Sequence, residues 1–264
     1  MHANRRTFLK TATFATAPFI LPSRIWAADV KPNDRPGIGF IGMGKQSRGL
    51  LGNFLHQDVQ VLAVCDVDTT RREDAKKKVD EFYAKNPGKG PADCKAYADF
   101  RELVARTDID LVCIATPDHW HTIQCLAALR NGKDVYCEKP LTHNVHEAVE
   151  LIKTVEATKR VLQTGSMQRS SKEFRVACEL VQNGVIGKLQ RVEIGMPGGY
   201  TAWGKRPEDL SETPLARPPE AFGAEGFDLW LGPAPARPFI PAIHRPLSWR
   251  WNFDYSGGQI TDWG

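Results

Sequence analysis

Between residues 37 and 165, short apolar runs alternate with amphipathic segments. The runs predict strands at 37–42, 59–66, 111–115, 134–137 and 161–164. Val61-Leu62-Ala63-Val64 and Leu111-Val112-Cys113-Ile114 are apolar without interruption, so these strands are expected to be buried on both faces, as in a parallel sheet covered by helices. The intervening segments predict helices at 47–57, 69–84, 99–106, 118–131 and 145–159. Asp118 stands where the fourth helix needs an N-cap and Gly132 where it needs a stop, and the turn-rich run 86–91 ends the second. Strand and helix repeated in this order predict an α/β fold with a doubly wound parallel sheet.

The pattern changes after Gly165. A helix is expected at 172–183 and a strand at 188–196, followed by a Pro-, Gly- and Trp-rich stretch to Tyr255 with little periodicity. Two regions follow, 28–165 and 166–264. The residues before them read differently: Asn4-Arg5-Arg6-Thr7-Phe8-Leu9-Lys10, a weakly apolar stretch to Leu21, and a cleavage point after Ala27. Residues 1–27 are expected to be a twin-arginine signal, its apolar part too short to span a bilayer. That address implies a periplasmic protein exported folded, with a tightly held cofactor already loaded.

Charge and cysteines then take on a different meaning. Arg5, Arg6, Lys10 and Arg24 lie in the leader; removing these four from the 35 lysines and arginines leaves 31, equal to the 31 acidic residues. The net charge of +4 therefore belongs to the leader, and neither a nucleic-acid partner nor a membrane partner after export is expected. Cys65, Cys113 and Cys137 sit in or at the end of apolar strands, where cysteine acts as a small hydrophobe. The twelve-residue spacing of Cys113, Cys125 and Cys137 fits no zinc pattern, so no metal is expected.

The candidate chemistry lies where the strands end. Gly39-Phe40-Ile41-Gly42-Met43-Gly44-Lys45-Gln46-Ser47 joins a strand to a helix, the context of a dinucleotide fingerprint. Gly42 permits the tight turn, Gly44 lets the backbone approach a pyrophosphate, and Lys45 opens the helix. Ser47 replaces the third glycine, which is expected to loosen helix-to-strand packing slightly. Asp66 ends the second strand, where a carboxylate accepts from ribose hydroxyls and repels a 2′-phosphate, favouring NAD over NADP. Arg71 or Arg72 could accommodate NADP instead; the simpler reading makes them a solvated helix face. Thr116-Pro117-Asp118-His119-Trp120-His121 and Glu138-Lys139-Pro140 open at the same edge. His119 and His121 either face a ligand there or are solvated in the first turn of a helix.

Glu138-Lys139-Pro140 behind the Gly-rich turn resembles the family of glucose-fructose oxidoreductase, inositol dehydrogenase and MocA. Further stretches share the likeness: Gln163-Thr164-Gly165, Gln168-Arg169, Asp228-Leu229-Trp230-Leu231-Gly232-Pro233, and Arg250-Trp251 through Gly264. The resemblance implies a Rossmann domain followed by an α+β domain with an open, mainly antiparallel sheet, here incomplete. It implies that Thr116, Pro117 and His121 border the cofactor, that Glu138 contacts the nicotinamide ribose, and that Lys139 is catalytic. Taking a proton from a carbinol calls for a base that is neutral near physiological pH, and partial burial beside a positive ring disfavours a charged lysine.

The family pairs its lysine with a D-x-x-x-H motif. Asp262 supplies the Asp, and the His would fall two residues beyond Gly264, so the chain is expected to be a shortened version of a longer, homo-oligomeric protein. His119, Gln168, Arg169 and Tyr255 are weaker candidates for substrate contacts, and Trp203, Trp230, Trp249 and Trp251 either stack on sugar or pack a core. The expected activity is NAD-dependent oxidation of a sugar, sugar derivative or polyol. The alternatives are glycoside hydrolysis through transient oxidation, and a non-catalytic nucleotide-binding fragment.

Overall fold

The five predicted strands form a sheet, joined by one that was not foreseen. The computed structural model describes residues 34–91, 93–195, 214–244 and 248–263; the unit considered below begins at Pro36. The strands are β1 Gly37–Ile41, β2 Gln60–Cys65, β3 Lys95–Tyr97, β4 Leu111–Ile114, β5 Asp134–Glu138 and β6 Leu162–Gly165. They lie in the order β3-β2-β1-β4-β5-β6, and every neighbouring pair is parallel. This is the doubly wound order, reversing between β1 and β4, and such a reversal opens a crevice at the strands' carboxyl ends.

Helices α1 Lys45–Phe54, α2 Thr69–Lys85, α3 Phe100–Val104, α4 Asp118–Arg130 and α5 Val145–Thr158 cover the sheet. Successive residues of β1 and β4 serve opposite faces. Ile38, Phe40 and Cys113 join Leu51, Val79 and Tyr83 on one side, while Ile41, Val112 and Ile114 join Leu103, Leu129 and Leu151 on the other. Asp68, Asp99 and Asn144 cap α2, α3 and α5 by accepting backbone N–H groups of Arg71, Arg101 and Glu147.

Asp118 does not cap α4. Pro117 holds the cap position without a side-chain bond, and Asp118 is the first helical residue, with its carboxyl buried. Ser47, read as a packing defect, is fully buried, and its hydroxyl lies 3.6 Å from the Met43 sulfur. Cys65, Cys113, Cys125 and Cys137 are buried free thiols.

Beyond β6 come a 3-10 turn, Met167–Ser170, and α6 Lys172–Gln182. The strand expected at 188–196 does not form over its described part, 188–195. A strand needs a neighbour for its backbone groups, and Val192 and Ile194 are 65% and 87% exposed with no described strand beside them. Among the described residues the antiparallel sheet expected for this region has no strand. Short helices follow instead: a 3-10 turn Glu220–Phe222, α7 Gly226–Leu231, α8 Pro241–His244, a 3-10 turn Ser248–Trp251 and α9 Gln259–Trp263. Phe227, Leu231, Phe239, Ile243 and Tyr255 give them a small core of their own. Trp203 and the expected leader lie outside the described residues.

Candidate active site

One cavity of about 1080 Å³ runs along the carboxyl edge of the sheet; ligand pockets commonly measure roughly 300–1,000 Å³. Its floor comes from the strand ends: Gly42, Gly44 and Lys45 after β1, Asp66 after β2, and Thr116 and Pro117 after β4. Glu138 and Lys139 close β5 on the same wall, and Gln168, Arg169, Trp230, Trp249, Arg250 and Asp262 face them from the later region.

The Gly-rich turn has the form a pyrophosphate needs. Gly42 has φ +83°, and a Cβ there would stand 2.8 Å from the Thr116 methyl group and 2.9 Å from Ala115, so only glycine fits both the conformation and the space. A Cβ on Gly44 would meet nothing within 4 Å. Gly44 is the N-cap of α1 and gives no side-chain cap, so the first N–H groups of that helix face the cavity without a side-chain acceptor, the arrangement that receives phosphate oxygens.

Asp66 closes the turn as well as facing the cavity. Its Oδ2 accepts the Met43 N–H at 2.7 Å and its Oδ1 the Asp68 N–H at 2.9 Å. Burial raises the carboxyl above the usual carboxylate range, and the amides of Asp68 and Met43 pull it back. A carboxylate has about four acceptor positions, so two remain for ribose hydroxyls. Arg72 is not a solvated residue: its guanidinium donates to the Asp66 carbonyl at 2.8 Å and to Thr69 at 3.1 Å. Arg71 borders the cavity, with its Nε 3.5 Å from the Asp68 carboxylate.

At the opposite end Lys139 and Asp262, 123 residues apart in sequence, meet. The Lys139 ammonium donates to Asp262 Oδ1 at 2.6 Å and to the Asp262 carbonyl at 2.8 Å. Asp262 Oδ2 lies 3.5 Å from Arg250 Nε, and that guanidinium sits over the Trp249 ring at 4.8 Å. The peptide bond between Lys139 and Pro140 is cis. Glu138 is buried beside the lysine and accepts the Tyr136 hydroxyl at 3.0 Å. Burial together with Glu138 pushes that phenol's pKa up. Gly165 makes room for the pair, since a Cβ there would stand 2.7 Å from the Tyr136 oxygen and 2.8 Å from Glu138 Oε1.

The two histidines are not solvated. The ring of His121 is buried, with Nδ1 2.7 Å from the Pro140 carbonyl and Nε2 2.9 Å from the Thr116 carbonyl. Both nitrogens thus face protein acceptors, and the ring has no polar atom left for a cofactor. It ties the loop after β4 to the loop carrying Lys139. Burial lowers its pKa more than the two carbonyls raise it, so a neutral ring donates to only one of them.

His119 and Tyr255 were candidates for substrate contacts, yet neither lines the cavity. Their ring centroids are 5.1 Å apart beneath Trp230, the His119 backbone N–H donates to the Tyr255 carbonyl, and His119 Nε2 lies 3.1 Å from the Trp230 carbonyl. Aromatic packing claimed them: the Trp230 ring lies 5.5 Å from that of His119 and 4.8 Å from that of Tyr255. Burial lowers the His119 pKa to about 4. Gln168 and Arg169 are exposed and line the cavity.

Asp118 and Arg250 were not foreseen at the site. Asp118 is 2% exposed and borders the cavity, and its Oδ2 accepts no hydrogen bond from a described residue. Burial raises its pKa to about 7 against the opposing pull of the Ser256 hydroxyl and Arg250. The only sequence signal was its position directly behind Pro117, which already holds the cap position.

The matches to known proteins fit this geometry. Residues 37–166 match the model of the oxidoreductase family with an NAD-binding Rossmann fold, Gfo/Idh/MocA. A glycosyl hydrolase family 109 protein of Shewanella pealeana is 30% identical over 207 residues, covering 72% of this chain and 45% of the relative. Another from Saccharopolyspora erythraea is 36% identical over 154 residues, covering 58% of this chain and 33% of the relative. The chain therefore spans less than half the length of these curated relatives. Scyllo-inositol dehydrogenase from Lactobacillus casei, solved with NAD(H) and scyllo-inositol, superposes with a TM-score of 0.51 at 26% identity, over 58% of this chain and 43% of that one. With a Gly-rich turn, a buried carboxylate behind β2 and a strand-end lysine on one cavity, the chain belongs to the Gfo/Idh/MocA oxidoreductases and carries their NAD-binding Rossmann fold.

Proposed function

We propose that this protein uses NAD to oxidise a CH–OH group of a sugar, sugar derivative or polyol, with Lys139 taking the hydroxyl proton. The observation that carries the reading is the Lys139 ammonium, clasped by Asp262 at 2.6 and 2.8 Å on the wall of the cavity that Gly42, Gly44 and Asp66 also line. Bound NAD supplies the hydride acceptor. The uncapped start of α1 holds the pyrophosphate, and Asp66 holds the adenosine ribose through its two remaining acceptor positions. Thr116, Pro117 and Glu138 flank the reacting end. To act as a base Lys139 must first release a proton against the pull of the Asp262 carboxylate, which favours the ammonium, and with 32% of its side chain exposed it can pass that proton to solvent. Asp262, already near Arg250, keeps the lysine aimed while the proton moves.

A second reading keeps the same site and changes the net reaction. Glycoside hydrolysis by oxidation, elimination, water addition and re-reduction would return NAD unchanged; the family 109 glycosyl hydrolases among the relatives favour it. A panel of inositols, hexoses and nitrophenyl glycosides, each mixed with NAD and the purified protein, separates these outcomes. Accumulating NADH supports net oxidation, and aglycone release without NADH supports the redox-cycling hydrolase. NAD binding with neither product identifies a non-catalytic nucleotide-binding chain. A rate undiminished in Lys139→Ala would refute the role of Lys139. The leader Asn4-Arg5-Arg6-Thr7-Phe8-Leu9-Lys10 supports twin-arginine export to the periplasm, and cell fractionation after changing Arg5 and Arg6 to lysine tests it: a variant still exported would refute it.

A further inference from the structure

The end of the cavity far from Lys139 has a wall that the sheet does not supply. Asp66 and Lys139 close strands three positions apart in the sheet, about 14 Å at the usual strand spacing. Around Asp66 the sheet side offers Val67, Asp68 and Phe100; the same cavity is also lined by Phe222 and Leu229, which lie well beyond residue 166, where the family match stops.

The segment carrying those two residues is pinned at both ends. Gly226 begins α7 directly against the loop after β2: a Cβ there would stand 3.0 Å from the Val67 carbonyl and 3.3 Å from Phe222 Cβ, so glycine permits the close approach. At the other end of α7 the Trp230 carbonyl accepts the Trp120 indole N–H at 2.9 Å and faces His119 Nε2 at 3.1 Å, joining α7 to the first turn of α4. Between the pins, α7 crosses from the end of β2 to the end of β4, and Leu229 and Trp230 border the cavity. The Phe222 ring is braced edge-on by Phe227 and Phe239, with centroids 6.1 and 5.6 Å away.

We infer that Phe222 and Leu229 hold the adenine of NAD, closing the adenosine end of the site from outside the Rossmann domain and slowing release of the dinucleotide. The inference rests on the assignment of this cavity to NAD. An apolar, ring-bearing wall beside a ribose-facing carboxylate matches the flat base next to its sugar, and an aromatic face contributes substantially to holding a base. The strap also gives a physical basis for a cofactor kept through repeated turnovers, which a redox-cycling reaction requires.

The test is titration of the purified protein and of Phe222→Ala and Leu229→Ala with NAD and with AMP, together with NADH release rates from stopped-flow fluorescence. Phe222→Ala should weaken NAD and AMP by the same factor, about tenfold or more, with NADH release faster to match; Leu229→Ala should show the same pattern to a smaller degree. Because Phe222 also touches the aromatic core, Phe222→Leu and the ligand-free melting curve accompany the series. A Phe222→Leu protein that melts like wild type yet releases NADH faster supports the inference. Undiminished affinity for NAD and AMP in both alanine variants overturns it, as does a loss confined to NAD with AMP unaffected. If the unmodified protein binds neither ligand, the NAD assignment itself fails, a result distinct from a failure of the wall.

Discussion

Asp118 and His119 are adjacent, buried and shifted in opposite directions, so their effects on stability should offset one another until one is removed. For Asp118 the folded pKa is about 7 against an ordinary 3.8. The folded protein binds a proton that the unfolded chain has released, so stability falls as pH rises from about 4 through 7. Three units correspond to about 4 kcal/mol at the upper limit. For His119 the folded pKa is about 4 against 6.5. Here the unfolded chain holds the proton, so stability is full above 6.5 and is lost as pH falls through 4, by about 3 kcal/mol. Between pH 4 and 6.5 the two slopes nearly cancel in the native protein.

Asp118→Asn keeps an acceptor for the Ser256 hydroxyl and removes one slope; His119→Gln removes the other. Urea unfolding at intervals from pH 4.5 to pH 7.5, referenced to the native protein at each pH, cancels every other titrating group. The expected outcome is that Asp118→Asn gains stability on the native protein as pH rises, by several kcal/mol across the range, while His119→Gln falls behind it. The double variant should run parallel to the native protein up to pH 6.5. Single variants that both track the native protein would refute the reasoning, because they would mean that neither group is held away from water as the packing indicates.

Two further outcomes follow from the site. Gly42→Ala places a side chain at φ +83° and 2.8 Å from the Thr116 methyl group; thermal melting should show a loss of more than about 1 kcal/mol, and calorimetry weaker NAD binding. His121→Ala leaves the Pro140 and Thr116 carbonyls without their ring partner, costing about 1–3 kcal/mol for a buried acceptor stranded without a donor. Because the ring positions the Lys139 loop without touching substrate, kcat for NADH formation should fall more than KM changes, which steady-state kinetics would read.

Much of the sheet was legible because its strands are apolar on both faces, a pattern that few other arrangements produce. Lys95–Tyr97 escaped: it has three residues, one of them an exposed lysine, at the edge of the sheet, where one-sided pairing demands little of the sequence. The run 188–196 failed in the opposite sense, because its residues suit a strand but the described structure gives them no partner. At the site, residues at strand ends could be placed from local spacing. The burial of Asp118 and the arrival of Arg250 could not, since both come from the return of the chain after residue 214, and that return is held by scattered aromatic contacts such as Phe227 with Phe239 and Trp230 with Tyr255. No periodic pattern records contacts of that kind.

The account rests on the cavity along the carboxyl edge being an NAD site organised by the Gly-rich turn and Asp66. Calorimetric titration of NAD into the purified protein and into Asp66→Ala tests this most directly. The account predicts one NAD per chain, with affinity falling at least tenfold in the variant, because the carboxylate both holds the Met43 amide at 2.7 Å and faces the ribose. An absence of binding, or binding of equal strength in the two proteins, would contradict it.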